Sequence, residues 1–121
     1  MLKLNPKKFG IIGGDIRQYY FAKSLIKDSH TVMIYGIDIN QNDIQKSDSL
    51  KHIINFSDYV VLPVPTTRDS ENIYTPLSNK KIPLDSTLID MLKNKTVFSF
   101  NTSSLALFKN NVKNKQIQSF D

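Results

Sequence analysis

The stretch Phe9-Gly10-Ile11-Ile12-Gly13-Gly14-Asp15-Ile16-Arg17-Gln18 contains the junction that decides the fold. Its first four residues form a compact apolar run typical of a buried strand, and the two glycines that follow indicate a turn. From Ile16 to about Asp28, apolar residues recur at helical spacing with lysines between them. A strand, a glycine turn and a helix in this order predict the first half of a βαβ unit.

The rest of the chain repeats this alternation, which predicts a parallel sheet covered by helices on both faces. We therefore expect an α/β fold: a flavodoxin-like or Rossmann-like three-layer sandwich with a five-stranded parallel sheet in the order 2-1-3-4-5. With 121 residues, positions 1–121 fit one domain. The predicted strands are Phe9–Ile12, Thr31–Tyr35, Tyr59–Leu62, Thr96–Phe100 and Gln116–Phe120, and the predicted helices are Ile16–Asp28, Ser49–Phe56, Asp85–Lys93 and Leu105–Asn114.

The composition excludes several classes of protein. No apolar run approaches the ~20 residues that span a bilayer, and the N-terminus lacks the apolar core of a signal peptide. The absence of cysteine excludes disulfides and thiolate chemistry and makes the cytoplasm the expected location. With only two histidines, His30 and His52, we expect no metal site.

The net charge of +5 at first allows a nucleic-acid partner. The lysines are scattered from Lys3 to Lys109, however, and no basic stripe with interleaved aromatic residues is present. This pattern favours a solvated basic surface that suits anionic small molecules, so we expect neither nucleic acid nor membrane as a partner.

The chain has only two arginines, and both follow predicted strands. In an open parallel sheet, ligands bind beyond the carboxyl ends of the strands where the strand order reverses, here between strands one and three. Arg17 and Arg68 should meet in that crevice, and arginine grips a carboxylate with a planar fork that lysine lacks. We therefore predict recognition of an acid or phosphate group. The alternative is that each arginine only pairs with a neighbouring aspartate, such as Asp15 or Asp69.

The turn after the first strand allows two interpretations. Gly13-Gly14 permits close approach of a ligand to the backbone, or it is merely a turn. Asp15, three residues before Gln18, is expected first as a helix cap. The dinucleotide fingerprint G-x-G-x-x-G is absent, and Asp38 after the second strand lacks its glycine context. We therefore expect no cofactor to be bound by this domain alone.

A long irregular stretch, residues 66–84, separates the third strand from the next helix, and connections of that length are usually functional. Its segment Tyr74–Asn79 is either a lid over the crevice or a surface loop stiffened by Pro76 and Pro83. No catalytic residue is assigned. The predicted substrate-binding residues are Gly13, Gly14, Asp15, Arg17, Pro65, Thr66, Thr67, Arg68, Ser78 and Asn79.

Three motifs together resemble the N-terminal domain of the A subunit of dipicolinate synthase. They are Ile11-Ile12-Gly13-Gly14-Asp15-Ile16-Arg17-Gln18, then Leu62-Pro63-Val64-Pro65 with Thr67-Arg68-Asp69, and then Thr75-Pro76-Leu77-Ser78-Asn79. The resemblance extends from about Phe9 to Asn79, and beyond Leu84 only the helix–strand pattern supports it. It implies a substrate-side domain without the cofactor-binding second domain, and the chain's end directly after the fifth predicted strand agrees with a fragment.

The resemblance also implies an activity for the full-length protein. Together with the B subunit of dipicolinate synthase, it would oxidise dihydrodipicolinate to dipicolinate in the cytoplasm of the mother cell of a sporulating bacterium, with NAD(P) as acceptor. The substrate is a small dicarboxylate, which this domain would clamp with its arginines. A homo-oligomer is also allowed. Two alternatives remain open: a non-catalytic subunit-interaction or regulatory module, and a self-sufficient nucleotide-binding domain.

Overall fold

The computed structural model describes residues 5–99 and the backbone of residues 114–116. In this part of the chain, parallel strands alternate with helices along the sequence. The strands are β1 (Lys8–Ile12), β2 (Thr31–Tyr35), β3 (Gln45–Lys46), β4 (Tyr59–Val61), β5 (Thr96–Ser99) and β6 (Asn114–Gln116), and the helices are α1 (Ile16–Lys27), α2 (Leu50–Phe56) and α3 (Ser86–Leu92).

The strands form one parallel sheet in the order β3-β2-β1-β4-β5-β6. Without β3 this is the predicted order 2-1-3-4-5, so the predicted fold class and topology are confirmed. The edge strand β3 was missed because it has only two residues, both exposed, and therefore carries no hydrophobic pattern. The strand order reverses between β1 and β4, which is where the sequence predicts a crevice.

Helix starts differ from the predictions by one residue for a physical reason. Ser49 and Asp85 were predicted as the first residues of their helices but are N-caps, whose side chains accept hydrogen bonds from the backbone N–H groups of His52 and Leu88. At the other end of the chain, β6 begins two residues before the predicted last strand and contains Asn114, which was predicted as the end of a helix. The predictions for Phe100, for 105–113 and for 117–120 lie outside the described residues.

Two apolar clusters, one on each face of the sheet, form the core. In β1 the side chains of Ile11 and Ile12 point to opposite faces, and both are fully buried. Ile11 packs in the cluster that contains α1 residues, and Ile12 packs in the cluster that contains residues of α2 and α3. This arrangement is the predicted three-layer sandwich. None of the described helices has the length and apolar character needed to cross a bilayer.

The irregular stretch 66–84 is an integral part of the core. Ile73 and Ile82 are only 2% and 1% exposed, and the Ile73 N–H donates to the Ile82 carbonyl over 2.9 Å. Isolated antiparallel bridges join Thr67 with Ile73 and Asn72 with Pro83. The stretch is therefore a folded segment held by buried isoleucines, and a lid role for Tyr74–Asn79 stays a prediction.

Candidate functional site

The turn after β1 is covered by the irregular stretch. Gly13 and Gly14 have φ angles of 67° and 92°, which favour glycine. The Gly13 N–H donates to the Tyr35 carbonyl and the Gly14 N–H donates to the Tyr74 carbonyl, each over 2.8 Å. A Cβ on Gly13 would lie 2.8 Å from the Tyr74 oxygen. The glycines thus permit close approach of the chain itself, and their contact with a ligand stays a prediction.

Asp15 caps α1 and also holds Arg17. Its carboxylate accepts from the Arg17 backbone N–H over 3.0 Å, from Nε over 2.9 Å and from Nη2 over 2.8 Å. Arg17 Nη2 also donates to the Val64 carbonyl over 2.8 Å, which ties the start of α1 to the loop after β4. The side-chain hydrogen bond from Arg17 is the main cause that lowers the pKa of Asp15. For Arg17, pairing with a neighbouring aspartate is therefore what the structure shows.

Arg68 behaves differently. Its guanidinium carbon lies 4.7 Å from the centroid of the Tyr74 ring, a cation–π contact. Asp69 does not pair with it. The Asp69 carboxylate accepts from the backbone N–H groups of Glu71 and Asn72 over 2.8 Å each, and these bonds, that of Asn72 first, lower its pKa. Among the residues that the structure describes, Arg68 has no carboxylate partner.

The two arginines lie in one electrostatic neighbourhood. The pKa of Asp15 is lowered mainly by its Arg17 hydrogen bond and further by the charge of Arg68. The pKa of Arg17 is raised mainly by Asp15 and further by the phenol of Tyr74. Tyr74 also carries Arg68 on its ring, so its phenol lies within electrostatic range of both arginines. The sequence singled out the segment of Tyr74 but did not include this residue among the binding residues.

The other predicted binding residues after β4 support the loop. Pro65 follows a cis peptide bond with Val64. Thr66 is buried and its Oγ1 donates to the Pro63 carbonyl, while Thr67 Oγ1 donates to the Asn72 carbonyl. The hydrogen bonds of these two hydroxyl groups stabilise the conformation of the loop. Their contact with a substrate stays a prediction.

Segment 75–80 closes over the end of β2. Ser78 Oγ donates to Asp38 Oδ2 over 2.5 Å, and Lys80 Nζ lies 3.2 Å from Asp38 Oδ1. The Asp38 backbone N–H donates to the Leu77 carbonyl over 3.0 Å. The hydrogen bond from Ser78, followed by that from Lys80, lowers the pKa of Asp38.

These contacts do not fit a dinucleotide in this domain. Pyrophosphate would require free N–H groups after β1, but those of Gly13 and Gly14 are bonded within the protein. The Asp15 carboxylate would repel phosphate at the same place. A ribose would require the acid after β2, and Asp38 is engaged by Ser78 and Lys80. Within residues 5–99, no group of three histidine or acidic side chains is arranged to hold a metal ion.

Beside Tyr74, residues of the stretch 68–81 line an open surface cleft of about 400 Å³, a volume within the range of small-molecule sites. It contains the predicted residues Arg68, Ser78 and Asn79, but Arg17 does not line it. Sequence reasoning missed its other polar residues, since nothing marks Lys81 among so many lysines. The residues that line it include Arg68, Asn72, Tyr74, Ser78, Asn79 and Lys81.

A comparison with known protein families shows which family contains this sequence. The family described as the N-terminal domain of the dipicolinate synthase A subunit matches residues 8–121. The chain belongs to this family. The resemblance found in the three motifs is thereby confirmed, and it extends beyond Leu84 to the end of the sequence.

Solved structures share this fold. The A chain of dipicolinate synthase from Bacillus subtilis is 23% identical, with a TM-score of 0.73 over 98% of this chain and 41% of that one. The dipicolinate synthase A subunit from Bacillus halodurans is 21% identical, with a TM-score of 0.71 over 95% of this chain and 41% of that one.

More distant structures include dehydrogenases and reductases. D-lactate dehydrogenase with NAD+ from Lactobacillus jensenii is 17% identical, with a TM-score of 0.55 over 93% of this chain and 35% of that one. These likenesses show the fold alone. The chain spans about two fifths of the length of the two dipicolinate synthase chains. No curated protein sequence matches it.

Proposed function

We propose that this chain is the substrate-side domain of an oxidoreductase that converts dihydrodipicolinate to dipicolinate during sporulation. Its family and the names of the two similar Bacillus structures support this proposal. The observation that carries it is the neighbourhood of Arg17 and Arg68 around Asp15 and Tyr74, at the point where the strand order reverses. A dicarboxylate requires cations of this kind, and arginine provides the best geometry.

The proposal divides the work between two parts of the full-length enzyme. The contacts of Gly13, Gly14 and Asp38 argue against a nicotinamide cofactor in this domain, so we assign NAD(P) to the remainder of the enzyme. The B subunit of dipicolinate synthase is the proposed partner, and the mother-cell cytoplasm is the proposed location. The domain described here would bind and orient the two ring carboxylates for reaction across the interface with the cofactor.

The acids near the arginines are suited to support and poorly suited to proton transfer. The pKa values of Asp15 and Asp69 are both lowered by hydrogen bonds to their carboxylates. A carboxylate with a lowered pKa is a weak base, because efficient general bases titrate near the working pH. We therefore infer that neither Asp15 nor Asp69 is the proton acceptor of the oxidation.

A calorimetric titration with dipicolinate tests the proposal. We expect the chain to bind dipicolinate and the Arg17→Ala/Arg68→Ala double variant to lose at least about tenfold in affinity, because hydrogen bonds to charged groups contribute roughly 1.5–3 kcal/mol each. Lys51→Ala, which removes an exposed lysine of α2, is the control and should bind normally. In the full-length enzyme the double variant should lose turnover. Undiminished turnover there would refute the proposal.

The exposed face of α1 favours a second candidate, an interaction module. Ile16, Tyr20 and Phe21 are 45%, 61% and 41% exposed, and Val64 beside Arg17 is 38% exposed. Tyrosine and arginine are enriched where proteins bind one another. Sedimentation tests this candidate. The chain and its Tyr20→Ser variant are each measured alone and mixed with the proposed partner, the B subunit of dipicolinate synthase. A complex that the variant loses, together with normal turnover of the arginine double variant, would favour the module.

A further inference from the structure

We propose that the cleft within residues 68–81 is the dicarboxylate site, with Arg68 and Lys81 as its two anion-binding residues and Arg17 as a positioning residue. This inference rests on the proposed function and names the side chains that would carry it. It places the substrate carboxylates on one side of Tyr74 and assigns different roles to the two arginines.

The charged side chains of the cleft are mostly cations. Three cations line it, Arg68, Lys80 and Lys81, with Asp69 as the acid among the lining residues. Lys80 is paired with Asp38 over 3.2 Å and lies over the Tyr35 ring. Asp69 accepts hydrogen bonds from within its own loop. Within residues 5–99, Arg68 and Lys81 thus remain as cleft cations without a carboxylate partner.

The guanidinium group of Arg17 is already engaged within the protein. Its Nε and Nη2 both donate to Asp15, and Nη2 donates also to the Val64 carbonyl. A substrate carboxylate would have to displace Asp15 to be gripped in bidentate fashion. Arg17 instead connects the start of α1 with the loop after β4. By doing so it fixes the loop from which Arg68 extends.

The neutral groups of the cleft fit an aromatic dicarboxylate. The Tyr74 ring supports the Arg68 guanidinium at 4.7 Å, which orients its donors before a ligand arrives. Asn79 is exposed at the cleft and offers amide donors, whereas Ser78 and Asn72 donate within the protein. Two cations and the amide donors of Asn79 match a ligand with two carboxylates.

The cleft is also preformed, because core contacts hold its walls. The backbone between Arg68 and Lys81 is fixed by the buried Ile73 and by the bond from the Tyr74 N–H to the Thr66 carbonyl, 2.9 Å long. Ile82, next to Lys81, is 1% exposed. Binding therefore requires little ordering of the backbone, and the Lys81 side chain is the main group that must be ordered.

Two matched pairs of variants test the inference with the whole chain, using dipicolinate and isophthalate, which has the same carboxylates without the ring nitrogen. Arg68→Lys and Arg17→Lys both keep the charge and remove the fork. We expect Arg68→Lys to raise the Kd about tenfold. Arg17→Lys should raise it less than threefold and lower the urea midpoint of unfolding.

Lys81→Ala and Lys51→Ala form the second pair. We expect Lys81→Ala to raise the Kd about tenfold and to flatten its dependence on salt, because a direct cation has been removed. Lys51→Ala should leave both unchanged. The salt dependence is the readout that a merely structural effect would not alter.

The outcomes separate this inference from the proposed function. If dipicolinate binding depends on Arg17 and is insensitive to Lys81, the inference is wrong and the proposed function stands. If isophthalate binds with the expected dependence on Arg68 and Lys81 but dipicolinate does not, the cleft stands and the proposed function fails. If neither ligand binds at about 10 mM, the inference is overturned, and turnover of the full-length arginine double variant decides the proposed function independently.

Discussion

Replacement of Gly13 by alanine offers a direct test of how the irregular stretch packs on the β1 turn, and Gly36 provides the matched control. Both glycines have left-handed backbone conformations, with φ of 67° and 77°. A Cβ on Gly13 would lie 2.8 Å from the Tyr74 carbonyl oxygen. On Gly36 the nearest contact would be the Thr75 methyl group at 3.4 Å, an ordinary van der Waals distance.

The two variants therefore share one cost and differ in another. The left-handed conformation costs an alanine roughly 1–2 kcal/mol at either position. Only Gly13→Ala must also displace the backbone of Tyr74, which weakens the bond from the Gly14 N–H to the Tyr74 carbonyl. Overpacking of this kind typically costs about 1–3 kcal/mol. We expect Gly36→Ala to lose about 1–2 kcal/mol of unfolding free energy and Gly13→Ala about 2–5 kcal/mol.

Urea unfolding followed by circular dichroism measures both losses, with unchanged m values as the check on two-state behaviour. Because a displaced Tyr74 also moves the support of Arg68, Gly13→Ala should in addition weaken dipicolinate binding more than Gly36→Ala does. Losses of stability that agree within about 0.5 kcal/mol would refute the packing of Tyr74 on Gly13, because a difference that small is no larger than the effect of a neutral substitution.

Three further changes have defined outcomes. Gln18→Met should raise the unfolding free energy by roughly 1–2 kcal/mol, because the buried Gln18 Nε2 lacks a hydrogen-bond partner among the described residues. A clear loss of stability in chemical denaturation would contradict this. For Asp69, hydrogen bonds lower the folded-state pKa below the ordinary 3.8, so its contribution is present above about pH 4 and is lost as the pH falls further. The destabilisation by Asp69→Asn should therefore shrink from pH 6 to pH 2, and a loss of stability that does not change with pH would argue against the charge effect. Ile82→Ala should lower the unfolding free energy by about 2–5 kcal/mol although Ile82 lies outside regular structure. Ile26 is 39% exposed, so Ile26→Ala should lower it by at most about 1 kcal/mol. Equal losses in thermal unfolding would show that Ile82 does not contribute to the core.

The order of the sheet was predictable from the sequence because its central strands are continuous apolar runs. Ile11 and Ile12 are buried on opposite faces, and such strands stand out from the polar segments around them. The topology then placed the loops of Arg17 and Arg68 at the same edge. The two-residue strand β3 escaped because Gln45 and Lys46 are exposed and polar.

The roles of individual site residues were harder to predict. Whether Asp15 caps the helix, pairs with Arg17 or does both depends on side-chain rotamers, which no periodicity encodes. Asp69 binds the backbone of its own loop and does not pair with Arg68, although both aspartates lie close to an arginine in sequence. The cleft residue Lys81 was missed because the path of an irregular stretch follows from tertiary contacts.

Residues 66–84 contribute both to the core and to the cleft. Ile73 and Ile82 belong to the core. Arg68 and Lys81 line the cleft. Occupancy of the cleft and integrity of the fold are thus thermodynamically linked: a ligand at 100 times its Kd would add about 2.7 kcal/mol to the stability of the domain. The same linkage limits how this part of the chain can diverge. Exchange of exposed side chains such as Asn79 can retune the ligand, whereas an insertion or deletion between the two isoleucines would break the core together with the cleft.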